Sequence, residues 1–80
     1  MSTVPIHKVI DLFETVLEGG SLDADSNFFT AGGDSLLATR VIGKVAREFD
    51  VELTFAEFSQ APTPSELQAL INEQLASDAR

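Results

Sequence analysis

Phe28-Phe29-Thr30-Ala31-Gly32-Gly33-Asp34-Ser35-Leu36-Leu37 is the stretch on which the reading of this chain turns. A Gly-rich loop passes here into an amphipathic helix, and a single serine, Ser35, stands at the junction. The chain has no cysteine and no metal-ligand cluster in its sequence, so Ser35 is the best candidate for a place where chemistry happens. Two readings compete. Ser35 is either a helix cap or the attachment point of a prosthetic group.

Downstream of the serine, residues 35–49 read as a helix. Leu36, Leu37, Val41, Ile42, Val45 and Phe49 form its apolar side, and Asp34 or Ser35 can cap it, worth about 1 kcal/mol. Gly43 lies in its interior at a cost of about 1 kcal/mol against alanine, which suggests a close helix crossing. Val51-Glu52-Leu53 looks extended. Thr54-Phe55-Ala56-Glu57 matches a capping box and opens a short helix ending near Gln60. Thr63-Pro64-Ser65-Glu66 repeats the pattern with Pro64 at the first helical position. The last helix sets Leu67, Leu70, Ile71 and Leu75 on one face, and residues 77–80 are expected to fray.

Upstream, residues 5–18 read as a helix opened by Pro5, with Ile6, Val9, Ile10, Phe13, Val16 and Leu17 on one face. Asp11, Glu14 and Glu18 lie mostly on the other face, and Gly19-Gly20 ends the helix. Residues 19–34 form a long connection rich in turn residues, tacked to the core by Leu22, Phe28 and Phe29. A connection of that length inside a small domain is usually functional. The expected fold is therefore all-α: three longer helices, one short third helix and a long first loop. There is no internal repeat, low-complexity segment or linker, so residues 1–80 are read as one domain with its core at about 6–75.

Composition narrows the function. A chain of 80 residues buries only about 60% of its unfolded surface and has little room for a deep substrate cavity. That favours a protein handled by other proteins over a self-sufficient enzyme. The formal net charge of −8, with five Lys and Arg in total, argues against nucleic acid and leaves basic protein surfaces as candidate partners, unless the charge serves solubility alone. No apolar run approaches the ~18 residues of a membrane span. MSTVPIHKVIDLF lacks the basic and apolar regions of a signal peptide. Cytoplasmic residence and a monomer are the expectations.

Ser35 stands where backbone N–H groups and the helix dipole favour an anion, so a phosphodiester there meets a favourable field. Gly32 and Gly33 remove side-chain bulk beside the hydroxyl, which lets another protein close over it. Nothing in the sequence pairs the one histidine, His7, with Ser35 as a hydrolytic triad requires. GGDSL is not the G-x-S-x-G elbow, because Leu37 stands at the last glycine position. Gly32-Gly33 makes neither G-x-G-x-x-G nor a P-loop. Asp23, Asp25 and Asp34 lack the EF-hand register, and no metal is expected.

Taken together, SNFFTAGGDSLLATRVIGKV resembles the phosphopantetheine-attachment motif of peptidyl carrier proteins, the thiolation domains of nonribosomal peptide synthetases. Asn27-Phe28-Phe29 followed by Gly32-Gly33-Asp34-Ser35-Leu36 is similar to that signature in order and spacing. Val51-Glu52-Leu53 and the Phe58…Ala61-Pro62-Thr63 run look like the family's third-helix region and the entry to its last helix. Ala31 departs from the leucine frequent before the two glycines. The resemblance implies a four-helix bundle of the acyl-carrier type with a 4'-phosphopantetheine arm on Ser35, flanked by Gly33, Asp34 and Leu36. A phosphopantetheinyl transferase would attach the arm from coenzyme A, and an adenylation enzyme would load an aminoacyl group on its thiol as a thioester. Condensation or tailoring enzymes would receive it. The resemblance also implies docking through Leu36, Leu37, Arg40 and Phe55, although Leu37 and Phe55 read equally well as core.

Fatty-acid and polyketide acyl carriers share this fold and an Asp-Ser-Leu motif, but their second helix is typically acidic. Here Arg40, Lys44 and Arg47 share one face, as i, i+4 and i+7, and are three of the chain's five basic residues. That points toward the peptidyl class, unless the face is simply solvated and ion-paired, for example Lys44 with Glu48. An acyl carrier and an unmodified helical interaction module remain the alternatives. A small hydrolase is a more distant one.

Overall fold

A computed structural model describes residues 3–78, with side chains described through residue 76. Four helices follow in order: α1 (Ile6–Leu17), α2 (Ser35–Phe49), α3 (Phe55–Gln60) and α4 (Pro64–Asp78). Helix α1 packs against both α2 and α4, and the short α3 packs against α2. The architecture is the all-α four-helix bundle expected, and residues 51–54 are neither helix nor strand, Thr54 having extended backbone.

Helix α1 buries Val9, Leu12, Phe13 and Val16, which recur at helical spacing. Leu12 joins the core in addition to the residues expected, while Ile6 and Ile10 are only half-buried. Pro5 is the N-cap, one residue earlier than its expected first helical position. The C-terminus also differs from expectation. Glu18, not a glycine, adopts the left-handed conformation at φ 60°, and its N–H donates to the Glu14 and Thr15 carbonyls. Gly19 and Gly20 continue at φ 132° and 86°, so three successive residues with positive φ reverse the chain. Glu14 then pins the returning loop, its Oε2 accepting from Leu22 N–H at 2.9 Å.

The first loop is a set of linked turns. Asp23 Oδ1 accepts from Asp25 N–H at 2.9 Å, and Asn27 Oδ1 accepts from Phe29 and Thr30 N–H at 2.9 and 3.1 Å. Two backbone bonds fasten it to the connection before α4 and to the first turn of α4. Phe28 N–H donates to the Pro62 carbonyl at 2.8 Å, and Ser65 N–H donates to the Ala24 carbonyl at 3.0 Å. Phe28 is fully buried and makes edge-on contacts with Phe13, Phe29 and Phe58, with centroids 5.2, 5.4 and 5.1 Å away. The loop therefore supplies the middle of the core instead of merely resting on it.

Helix α3 opens on a complete capping box: Thr54 Oγ1 accepts from Glu57 N–H at 3.1 Å, and Glu57 Oε1 accepts from Thr54 N–H at 2.9 Å. The second box is only half made. Thr63 Oγ1 accepts from Glu66 N–H at 3.1 Å, but Glu66 Oε1 takes the Thr63 hydroxyl at 3.0 Å and not its backbone. Helix α4 is helical through Asp78, and residues 79–80 lie outside the described residues. Leu67 and Ile71 are fully buried, and Leu70 and Leu75 pack against the core from its edge. A contact absent from the local pattern clips the N-terminal segment to α4. Val4 N–H donates to Asn72 Oδ1 at 2.8 Å, and the Val4 carbonyl accepts from Gln68 Nε2 at 2.9 Å.

Candidate functional site

Ser35 begins α2, and its neighbour Asp34 is the N-cap. Asp34 has extended backbone, φ −141° and ψ −173°, and its Oδ1 accepts from Leu37 N–H at 2.9 Å. Its carbonyl accepts the first helical bond, from Ala38 N–H, at 2.8 Å. The choice of cap left open by the sequence falls on Asp34. Ser35 is exposed, and among the described residues no hydrogen bond engages its hydroxyl. Only its carbonyl is used, accepting from Thr39 Oγ1 at 3.0 Å.

The two glycines have separate duties. Gly32 sits at φ 115°, where a residue with a Cβ is strained. Gly33 has no such φ but lies against the core. A Cβ built there would collide with the Phe28 ring and stand 2.8 Å from the Phe28 carbonyl oxygen. The Gly33 N–H donates to that same oxygen at 2.9 Å. Gly33 thus couples the serine-bearing turn to a fully buried phenylalanine, and the hydroxyl is presented from a fixed base. Clearance beside the hydroxyl, the role expected of it, is not what fixes this glycine. Ala31 is exposed, and its N–H closes the turn on the Asn27 carbonyl at 2.9 Å.

Residues expected at a docking surface fall into two groups. Leu36 and Phe55 are the exposed large hydrophobics among the described residues, at 66% and 46%. Leu36 is therefore not on the core face to which its helical spacing assigned it. Arg40 is exposed. Leu37 is half-buried and packs against the core cluster. Gly43 has nothing within 4 Å of its Cβ position, so it marks no helix crossing.

His7 is exposed on α1 and forms none of the side-chain hydrogen bonds among the described residues, so it is not hydrogen-bonded to Ser35. Those residues contain no group of three or more His, Cys, Asp or Glu that could hold a metal. Among the described residues, no helix is long and apolar enough to cross a membrane. The arrangement suits acceptance of a phosphate on the hydroxyl. Ser35 Oγ is free, no acidic residue occupies the first turn of α2, and the helix N-terminus supplies a positive field that the Asp34 carboxylate at the N-cap offsets in part.

Known proteins are similar to this chain in sequence and in fold. The family model described as a phosphopantetheine attachment site matches residues 7–71. The chain is 38% identical over 66 residues to a plipastatin synthase of Bacillus subtilis (strain 168), covering 82% of this chain and 3% of that protein. It is 43% identical over 63 residues to CymA of Salinispora arenicola (strain CNS-205), a probable non-canonical nonribosomal peptide synthetase, covering 79% of this chain and 1% of that one. The chain thus spans only a small fraction of the length of these relatives. Among solved structures, a chain in the complex of the phosphopantetheine transferase Sfp with coenzyme A and a peptidyl carrier protein superposes with a TM-score of 0.81 at 30% identity, over 89% of this chain and 92% of that one. With the motif match running from α1 into α4 and the serine at the head of α2, the chain belongs to the phosphopantetheine-attachment-site family.

Proposed function

We propose that residues 1–80 act as one peptidyl carrier domain of nonribosomal peptide synthesis, with Ser35 as the attachment point of a 4'-phosphopantetheine arm. The observation that carries this reading is the division of labour at the head of α2. Asp34 caps the helix, which leaves the Ser35 hydroxyl exposed and without structural duty. The chain is then no enzyme but the substrate of a phosphopantetheinyl transferase. In that reaction the Ser35 oxygen bonds to the β-phosphorus of coenzyme A, its proton passes to the transferase, and adenosine 3',5'-bisphosphate leaves. When bound, the arm supplies a thiol that holds an acyl group as a thioester.

The chain's own residues hold and present. Gly33 and Phe28 keep the turn anchored. Asp34 fixes the first turn of α2 by occupying Leu37 N–H, and the remaining backbone N–H groups of that turn would be available to a phosphodiester on Ser35. Leu36, next to Ser35 in the chain, and the exposed Phe55 and Arg40 offer side chains on which partners dock, with Leu37 packed against the core. An amino acid carboxylate must be activated before it can acylate a thiol, so loading falls to an adenylation enzyme and delivery to condensation or tailoring enzymes. The supply of coenzyme A and ATP in the cytoplasm supports a cytoplasmic carrier, which we read as a monomer. The carrier raises the effective concentration of its cargo at each partner.

Incubation with coenzyme A, magnesium and a broad-specificity transferase, followed by intact mass, tests the reading. The parent gains one phosphopantetheine and Ser35→Ala gains none. An unmodified but folded parent, with the transferase active on a known carrier, leaves Ser35 as an exposed helix residue and favours a helical interaction module.

A further inference from the structure

Thr39 stands one turn along α2 from Ser35, and the packing of the fold makes no use of it. Its side chain is exposed and lies outside the buried core cluster. Threonine is also a poorer helix former than alanine, so an exposed helix interior does not favour it. Its hydroxyl turns back and donates to the Ser35 carbonyl at 3.0 Å. Such a bond adds little to a helix, whose own ladder already uses that carbonyl. What it does is fix the rotamer of Thr39 and spend its one proton. Oγ1 is left with acceptor capacity alone, and none of the hydrogen bonds among the described residues fills it.

Thr39 shares its side of α2 with the reactive hydroxyl. Ser35, Thr39, Ile42 and Ala46 follow at i, i+4, i+7 and i+11. Lys44 and Glu48, which line a cleft with Lys8, Asp11 and Thr15 of α1, lie on the opposite side of the helix. Residues four apart hold their Cβ atoms about 5–6 Å from each other, so an arm on Ser35 starts within one turn of Thr39. Along phosphopantetheine the first group with a proton to donate is the hydroxyl of the pantoyl unit, six bonds from Ser35 Oγ. At the ~1.2 Å per bond of an extended chain those bonds reach about 7 Å, enough to bring that hydroxyl to Thr39.

Resting on the carrier reading above, we infer that Thr39 seats the arm, its Oγ1 accepting from the pantoyl hydroxyl. Arm, Thr39 and the Ser35 carbonyl then form one run of hydrogen bonds, each polarising the next. The tether selects this occupant. A free molecule competes with water for a single exposed acceptor, whereas the arm is held beside it by a covalent bond at high effective concentration. Polarity agrees, because the phosphodiester brings only acceptors and the pantoyl hydroxyl is the nearest donor. The seat divides the arm in two. Its pantoyl half is held on α2, and the remaining bonds to the sulfur, about 11 Å when extended, swing with the cargo. The thioester thus samples a smaller volume around the carrier than an arm hinged at Ser35 would allow.

The test uses the holo protein carrying 13C-labelled phosphopantetheine, with complete modification verified by mass and helicity by circular dichroism. Thr39→Val keeps the branched shape and removes the acceptor; Thr39→Ser keeps the hydroxyl. Carbon relaxation gives the order parameter of the pantoyl methine. The parent value is about 1.5-fold or more that of Thr39→Val, which falls into the flexible range below about 0.6, and Thr39→Ser restores it. A second probe needs no change to the protein. An arm with hydrogen in place of the pantoyl hydroxyl, loaded from the corresponding coenzyme A analogue, gives the Thr39→Val value on the parent, and Thr39→Val then lowers it no further. Equal order parameters in parent and Thr39→Val overturn the seat. So does a Thr39→Ser protein that matches Thr39→Val, or an effect of Thr39→Val that persists with the deoxy arm. Failure of the unaltered chain to take up phosphopantetheine is a different result and removes the carrier reading itself.

Discussion

Gly33→Ala puts the link between core and site under the sharpest strain. The added Cβ enters the space of the Phe28 ring, and Phe28 is fully buried with edge-on contacts to Phe13, Phe29 and Phe58. The ring has no solvent side toward which to turn. Overpacking of this kind costs about 1–3 kcal/mol. If the turn moves away instead, the bond from Gly33 N–H to the Phe28 carbonyl is lost, at about 1 kcal/mol. The two routes together bracket about 1–3 kcal/mol. A domain of this size loses about 4–8 °C in Tm for each kcal/mol, so the expected drop is on the order of 4–24 °C. Thermal and urea melts followed by circular dichroism measure it. Gly32→Ala, strained through its φ of 115° but free of any contact within 4 Å, is the milder companion at about 1 kcal/mol. A Gly33→Ala protein melting within about 2 °C of the parent would refute the claim that this glycine is held by contact with Phe28.

Four further outcomes follow from the same contacts. Asp34→Ala removes the cap of α2 and costs about 1 kcal/mol in a urea melt, whereas Ser35→Ala changes stability by less than about 0.5 kcal/mol because its hydroxyl has no partner among the described residues. Gly43→Ala raises stability by up to about 1 kcal/mol, measured the same way, since its φ is ordinary and the methyl meets nothing. Asn72→Ala frees the Val4 clip, costs about 1 kcal/mol, and speeds amide exchange at Val4. Phe28→Ala costs about 3–5 kcal/mol, enough to leave much of a small domain unfolded at 37 °C, as near-native circular dichroism at that temperature would disprove.

The parts of the fold readable in the sequence are those decided by neighbours in the chain. Helix α2 has its expected bounds because Asp34 and the apolar period are local signals, and the Thr54–Glu57 box is a local motif. Errors arise where a distant contact or a backbone exception decides. Glu18 takes the left-handed cap beside two glycines that would adopt it at less cost, since the exit of α1 needs three positive φ values and not one. Leu36 shares the apolar spacing of α2, but the first turn of that helix overhangs the core, and a helical wheel has no information on where the neighbouring helices stop.

The site was legible in the same uneven way. The residue types around Ser35 mark it, and the spacing to Asn27 and Phe28 supports it. Which of Asp34 and Ser35 caps the helix could not be read from two adjacent good capping residues; it is settled by the direction of the Asp34 side chain toward Leu37 N–H. The duty of Gly33 depends on the path of a loop that brings Phe28 beneath it. The open space over Gly43 is invisible until the neighbouring elements are known not to fill it.

The most direct measurement of the central claim is tandem mass spectrometry on the transferase-treated protein after proteolysis. The account predicts that the peptide containing Asp34-Ser35-Leu36 alone carries phosphopantetheine and alone releases it on fragmentation. Modification at Ser21, Ser26, Ser59 or Ser65 instead, or none at all beside a modified control carrier, would contradict it.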